Sequence, residues 1–326
     1  MVRDLRRRCP WDRAQTRETL RPYLVEEALE LDQALGEGVP AAIRGEVSDL
    51  LLHLAFQVVI AEERKEFTAD EVADHLERKM RRRHPHLFDL GEAEPWERIK
   101  RRERRSRTLS GIVPTLPPLL KAYRLQERAA SVGFDWPDVE GPLEKVREEL
   151  AEVEQELEHY PTPAPGRGED DPNTPSPPPS DRLRDEIGDL LFAVVNLARK
   201  AGVQPGPALD RANRKFRERF EAIEGLCAER GIEVGTAGLK VLDGLWNEVK
   251  GAEIGDLLFA VVNLARKAGV QPGPALDRAN RKFRERFEAI EGLCAERGIE
   301  VETAGLEVLD GMWGEVKEKE GVKREG

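Results

Sequence analysis

An all-α fold is predicted by three observations. Charged residues make up 35% of the chain and aromatics 6%, and the abundant Glu, Arg, Leu and Ala favour helix over strand. Apolar residues recur at three- and four-residue spacing along most segments. Proline and glycine clusters punctuate those segments at intervals suited to helices. The 326 residues suffice for two domains of ordinary size.

The first helix is expected over 23–35, with Pro22 at its start and Leu24, Leu31 and Leu35 among its acids. Gly36, Gly38 and Pro40 end it. Residues 43–64 read as a second helix with a broad apolar face of Val47, Leu50, Leu51, Leu54 and Val58. A third covers 69–83 and stops at Pro85. These make a first unit over 1–97. RIKRRERRSR (98–107) and Pro114, Pro117 and Pro118 then read as a basic, proline-marked linker over 98–117.

The second unit, 118–250, repeats the plan. A helix over 118–130 precedes the turn GFDWPD, and 142–160 is a strongly acidic helix. Residues 161–180 are proline-rich and polar, the composition of a disordered loop. Helices follow over 181–201 and 207–230. Glu30 and Glu46 are 16 positions apart and Glu152 and Glu186 are 34 apart. The excess is close to the length of the proline-rich tract, so that tract reads as an insertion into a turn.

Composition excludes several classes. No apolar run reaches the ~18 residues that span a bilayer, and the start MVRDLRRRCPWD has no signal-peptide core, so a cytoplasmic, membrane-free protein is expected. Three cysteines at unrelated spacings form no disulfide framework. A net charge of −11 argues against wholesale nucleic-acid binding. All five histidines precede residue 160, so chemistry in the second unit must lean on carboxylates or a metal-activated water.

The chemistry-bearing pattern is a doubled set of acids. Glu26-Glu27-Ala28-Leu29-Glu30 is followed by Glu46-Val47-Ser48-Asp49, and Glu148-Glu149-Leu150-Ala151-Glu152 by Glu186-Ile187-Gly188-Asp189. Residues three apart on a helix share a face, so Glu149 and Glu152 stand side by side, as do Glu186 and Asp189. Antiparallel pairing of the two helices gathers four carboxylates that need a cationic counter-charge. Oxygen ligands of this kind suit Mg²⁺ or Mn²⁺, and those ions bind polyphosphate. A solvated acidic face is the bland alternative. Against it stands the apolar run Ile187, Leu190, Leu191, Phe192, Val194 and Val195, which draws Glu186 and Asp189 to the core boundary. Downstream, Lys215 and Arg219 are four apart on one helix, spaced to meet phosphate oxygens.

CPWDRAQT (9–16), PYLVEEALE (22–30), GEVSDLL (45–51), RRHPHLF (82–88), VGFDWPD (132–138), EIGDLLFAVVNLAR (186–199) and ANRKFRERF (212–220) together resemble the MazG family of nucleoside triphosphate pyrophosphohydrolases. The resemblance runs in order over 9–250. It implies small helical bundles completed as a homodimer and a Mg²⁺-dependent reaction that splits an NTP into NMP and pyrophosphate, a nucleotide-pool house-cleaning activity. It also implies metal ligands at Glu149, Glu152, Glu186 and Asp189, with Glu148 or Glu149 orienting the attacking water or taking its proton. Lys145, Asn213, Lys215 and Arg219 would contact the substrate, and Trp246 would lie by the base. In the first unit Glu27, Glu30, Glu46 and Asp49 match the metal positions, with Lys79 and Arg83 as the basic pair. Glu77 stands where the second unit has Asn213, so the second unit is expected to be the better catalyst. The alternatives are a narrower dUTP or dCTP pyrophosphatase, and a non-catalytic nucleotide sensor or RNA-binding regulator using 98–107. That stretch has seven basic residues but almost no aromatics for stacking.

From Glu253 the chain repeats residues 186–234 without change for 49 positions, but no new EExxE precedes the copy. This duplicated half-unit, 251–326, carries Glu253 and Asp256 without a matching acidic helix. Its apolar first helix must pack somewhere, either competing with 181–201 for the acidic helix or against a second subunit. The site is expected to be complete within 118–250.

Overall fold

The computed structural model describes residues 1–88, 107–159, 178–249 and 255–324. Among these are fourteen helices and no strand, the all-α architecture expected. The proline-rich tract over 161–177, Glu253 and all of the basic stretch before Arg107 lie outside the described residues. The chain divides into two compact units, Met1–Arg102 and Glu103–Gly326.

The first unit contains α1 (Val2–Arg8), α2 (Pro10–Ala14), α3 (Arg17–Glu37), α4 (Pro40–Glu63), α5 (Ala69–Arg83) and α6 (Pro85–Phe88). α3 begins six residues earlier than expected, so Pro22 lies inside it. The Thr16 hydroxyl accepts from the Thr19 N–H, and the Thr19 hydroxyl accepts from the Thr16 N–H, a reciprocal cap that fixes the first turn. Pro22 then removes only one helical bond, to Glu18. Gly38, at φ 71°, closes α3 and turns the chain into α4. The core here is small: Val2, Leu20, Phe56, Val59 and Ile60. Val25, Leu29, Leu35, Leu51 and Leu54 on α3 and α4 remain exposed.

The second unit contains α7 (Pro118–Ala130), α8 (Glu140–Glu158), α9 (Asp181–Lys200), α10 (Pro205–Glu229), α11 (Leu239–Val249), α12 (Gly255–Lys267), α13 (Pro272–Glu296) and α14 (Gly305–Arg324). α9 is its axis. Ile187, Leu190, Leu191, Val194 and Val195 are buried among Ala122 of α7, Val146 and Val153 of α8, Leu258 and Val261 of α12, and Ala275, Leu276 and Ala279 of α13. Gly188 marks the closest approach, where an added Cβ would lie 2.3 Å from the Ala275 carbonyl oxygen.

The repeat helices do not pair in chain order. α9 packs on α8 and on α13, whereas α10 packs on α12 and α11. Residues 107–117, expected at the end of a linker, fold onto this unit. Leu109 and Ile112 are buried with Leu125, Val132 and Phe287, and Arg107 pairs with Glu288 at 3.0 Å. Among the described residues no helix is long and apolar enough to cross a membrane.

Candidate metal and phosphate site

α8 and α9 lie against each other, so their carboxylates converge as the helical spacing requires. One oxygen from each of Glu149, Glu152 and Glu186 falls within 4.8 Å of the others. Glu149 is buried, at 5% exposure. Its Oε1 is 2.6 Å from Lys145 Nζ, while its Oε2 is buried without a hydrogen-bond partner. A buried carboxylate oxygen left unpartnered is costly unless a cation meets it. The Glu149 carboxyl is pushed up by burial, against the pull of Lys145 and with the help of Asp189 and Glu152. Burial, then Asp189 and Glu152, push Glu186 up to about 7. Both shifts come first from burial, which disfavours the charged carboxylate, with neighbouring carboxylates adding to it. The donors are all oxygens, the set that hard divalent cations prefer.

Asp189, expected as a fourth ligand, faces the same cavity but is paired with Lys282 Nζ. Lys145 Nζ bridges Glu148 and Glu149, 2.6 Å from each. Burial lowers its pKa, but the two carboxylates outweigh that and leave it raised.

A cavity of about 470 Å³ opens over the carboxylates, within the range of about 300–1,000 Å³ common for small-molecule sites. Part of its lining is aromatic. Phe192 and Phe283 lie 5.0 Å apart, and Trp313 is 5.4 Å from both Phe134 and Phe283. Arg286 stacks over Trp313, 5.6 Å from its ring centre. The turn beneath is held by Asp135, whose carboxylate takes Arg199 at 2.5 Å and Lys200 at 3.1 Å. The cavity is thus lined by carboxylates and their lysine partners together with aromatic rings and Arg286, fit for a ligand with a polyphosphate tail and a flat ring.

The expected Glu148, Glu149, Glu152, Glu186, Asp189 and Lys145 all line this cavity. Asn213, Lys215, Arg219 and Trp246 do not; they sit on α10 and α11, where Arg219 stacks over Trp246 at 5.8 Å. Lys282, Arg286 and Trp313, 67 positions on from Lys215, Arg219 and Trp246, line the cavity instead. The sequence reading does not single out these cavity residues, although their identity with Lys215, Arg219 and Trp246 is a signal that points to them.

In the first unit Glu27, Glu46 and Asp49 offer oxygens within 4.8 Å of one another. Burial and the neighbouring Glu27, Glu46, Glu26 and Asp49 raise the Glu30 carboxyl. His53 Nε2 lies 3.6 Å from Glu27 and stacks on Tyr23. Lys79 and Arg83 are on α5, which packs against α4.

Residues 15–88 match the family model described as the MazG nucleotide pyrophosphohydrolase domain. The chain is 39% identical over 251 residues to the nucleoside triphosphate pyrophosphohydrolase/pyrophosphatase MazG of Thermotoga maritima, covering 75% of this chain and 90% of that protein. It is 36% identical over 264 residues to the nucleoside triphosphate pyrophosphohydrolase of Escherichia coli K12, covering 78% and 94%. The Mycobacterium tuberculosis protein of the same name is 36% identical over 144 residues, 41% of this chain and 44% of that one.

Proposed function

Because the chain belongs to the MazG family of nucleoside triphosphate pyrophosphohydrolases, and is thereby a hydrolase, we propose that the cavity of the second unit is where an NTP is cleaved to NMP and pyrophosphate with Mg²⁺ or Mn²⁺. The observation that carries this reading is the unpartnered Glu149 Oε2, buried beside Glu152 and Glu186 in the lining of the cavity.

Glu149, Glu152 and Glu186 would hold the cation, with Asp189 in reach of it once Lys282 turns to phosphate. When bound, the cation supplies neutralisation of the triphosphate and acidification of water near the α-phosphorus. The chain does the rest. Lys282 and Arg286 are the cations facing the phosphates, as point charge and fork. Glu148 stands at the cavity edge on Lys145 and orients the attacking water or takes its proton. Phe283 and Trp313 take the base by stacking. Stacking tolerates every base, which favours a broad, house-cleaning substrate range over a dUTP- or dCTP-restricted one. The apolar side chains exposed on α3 and α4 support a homodimer.

The test is product analysis across ATP, GTP, dUTP and dCTP, with Mg²⁺ and with EDTA. Expected are nucleoside monophosphate and pyrophosphate from all four, abolished by EDTA. Nucleoside diphosphate and inorganic orthophosphate as products, or undiminished turnover in EDTA, would contradict the proposal.

A further inference from the structure

The repeat gives this chain two copies of one helix, and the fold uses them differently. α10 and α13 have the same 25-residue sequence. Each follows its predecessor through the same turn. Gly202 and Gly269 adopt φ of 72° and 68°, and Val203 and Val270 donate to the carbonyls of Ala198 and Ala265 at 2.8 Å. A left-handed glycine with such a bond ends a helix and redirects the chain. In both copies the next helix packs mainly on the first helix of the other copy rather than on its own predecessor.

The exchange is reciprocal, α13 on α9 and α10 on α12. Phe192 meets Phe283 at 5.0 Å, and their images Phe259 and Phe216 meet at 5.0 Å. Phe283–Trp313 and Phe216–Trp246 are both 5.4 Å apart at 45°. Among the described residues the α9–α13 pair has both α7 and α8 against it, whereas of these two α10 packs on α7 alone. Phe287 is accordingly 0% exposed where its image Phe220 is 37% exposed. Asn280 is buried and donates to the Pro118 carbonyl at 3.1 Å, whereas Asn213 is exposed. Ion pairs bind α13 in place: Asp185–Arg278 at 3.1 Å, Lys121–Asp277 at 2.6 Å, and Asp189–Lys282.

We infer that the repeat completes the carboxylate site within one chain by this exchange, so that Lys282, Arg286 and Trp313 of the second copy, rather than Lys215, Arg219 and Trp246, receive the substrate. This assignment of roles rests on reading the cavity as the NTP site, but the exchange itself is testable without turnover. It revises the expectation that 118–250 holds a complete site, because within that span α10 is turned away from α9.

The exchange is tested in the full chain by cysteine pairs in a Cys9→Ser background, joined with a short bis-maleimide. D185C/R278C reads the crossed arrangement and D185C/R211C the direct one, with circular dichroism and gel filtration to confirm that both variants fold. A cross-link within one chain for the 278 pair alone supports the inference. A link for the 211 pair, equal links for both, links only between chains, or no link with either pair would overturn it. In parallel, K282A/R286A is expected to lose at least 30-fold more pyrophosphate release from dATP and Mg²⁺ than K215A/R219A. Equal or reversed losses would overturn the assignment of roles. A parent protein inactive on NTPs would sink the functional reading while leaving the cross-link result standing.

Discussion

The helix pairs α3–α4 and α8–α9 carry the same acidic spacing but place it in different surroundings. In the first, Glu27 and Glu46 are half-buried and Asp49 is exposed; in the second, Glu149 is buried and Glu152 and Glu186 are half-buried. The apolar residues behind the acids differ in the same way. Leu51 is 60% exposed on α4, while Leu190 and Leu191 are each 1% exposed on α9. The spacing is a local property of each helix pair. What turns it into a desolvated site is a third helix, α13, that closes over α9 and brings Lys282, Arg286 and the aromatic wall.

The largest effect should come from the carboxylates themselves. Glu152→Gln with Glu186→Gln is expected to lower pyrophosphate release from dATP by 100-fold or more, an effect on the order of 3 kcal/mol in transition-state stabilisation. Glu27→Gln with Glu46→Gln should cost far less, and comparable losses in steady-state turnover would erase the ranking of the two units. Next is the base wall. Trp313→Ala removes one stacking face, about 1–3 kcal/mol, and should raise KM about tenfold with a smaller change in kcat. An unchanged KM would remove Trp313 from the substrate.

Smaller effects probe the closure by α13. A Cβ at Gly188 would meet the Ala275 carbonyl oxygen at 2.3 Å, so Gly188→Ala should destabilise the second unit by about 1–3 kcal/mol in urea unfolding. The helix-propensity gain, about 1 kcal/mol, offsets only part of this, and a net stabilisation would contradict the close approach. The smallest effect is a pH dependence. Burial, Asp189 and Glu152 push Glu186 up to about 7, whereas an unfolded glutamate titrates near 4.3. Its contribution to metal-free stability is therefore present at the acid end and lost as pH rises through about 7. In EDTA, Glu186→Gln should gain on the parent protein between pH 5 and 8, on the order of 1 kcal/mol after screening. A gap constant with pH would show that Glu186 titrates normally.

Much of this was legible in the sequence where the signal is local. The bounds of α5 and α7 match the helices over 69–83, stopped by Pro85, and over 118–130, ahead of the GFDWPD turn, that the sequence predicts, and the ExxE and ExxD spacings place their acids on shared faces. Pro22 misled because the Thr16–Thr19 cap, a matter of side-chain geometry, starts α3 ahead of it. Lys215 and Lys282 were indistinguishable because their surroundings in sequence are identical for tens of residues. Only the packing of α13, rather than α10, on α9 decides that Lys282 is the one to reach Asp189. The burial of Leu109 and Ile112 was hidden for a related reason: a stretch marked by Pro114 and Pro117 reads as a linker until the Phe287 face it covers is known.

The most direct test of the account is Glu149→Gln, measured beside Glu27→Gln as pyrophosphate release from dATP at saturating Mg²⁺. The account predicts a loss of 100-fold or more for Glu149→Gln and a much smaller one for Glu27→Gln. Full turnover by a folded Glu149→Gln protein would contradict it.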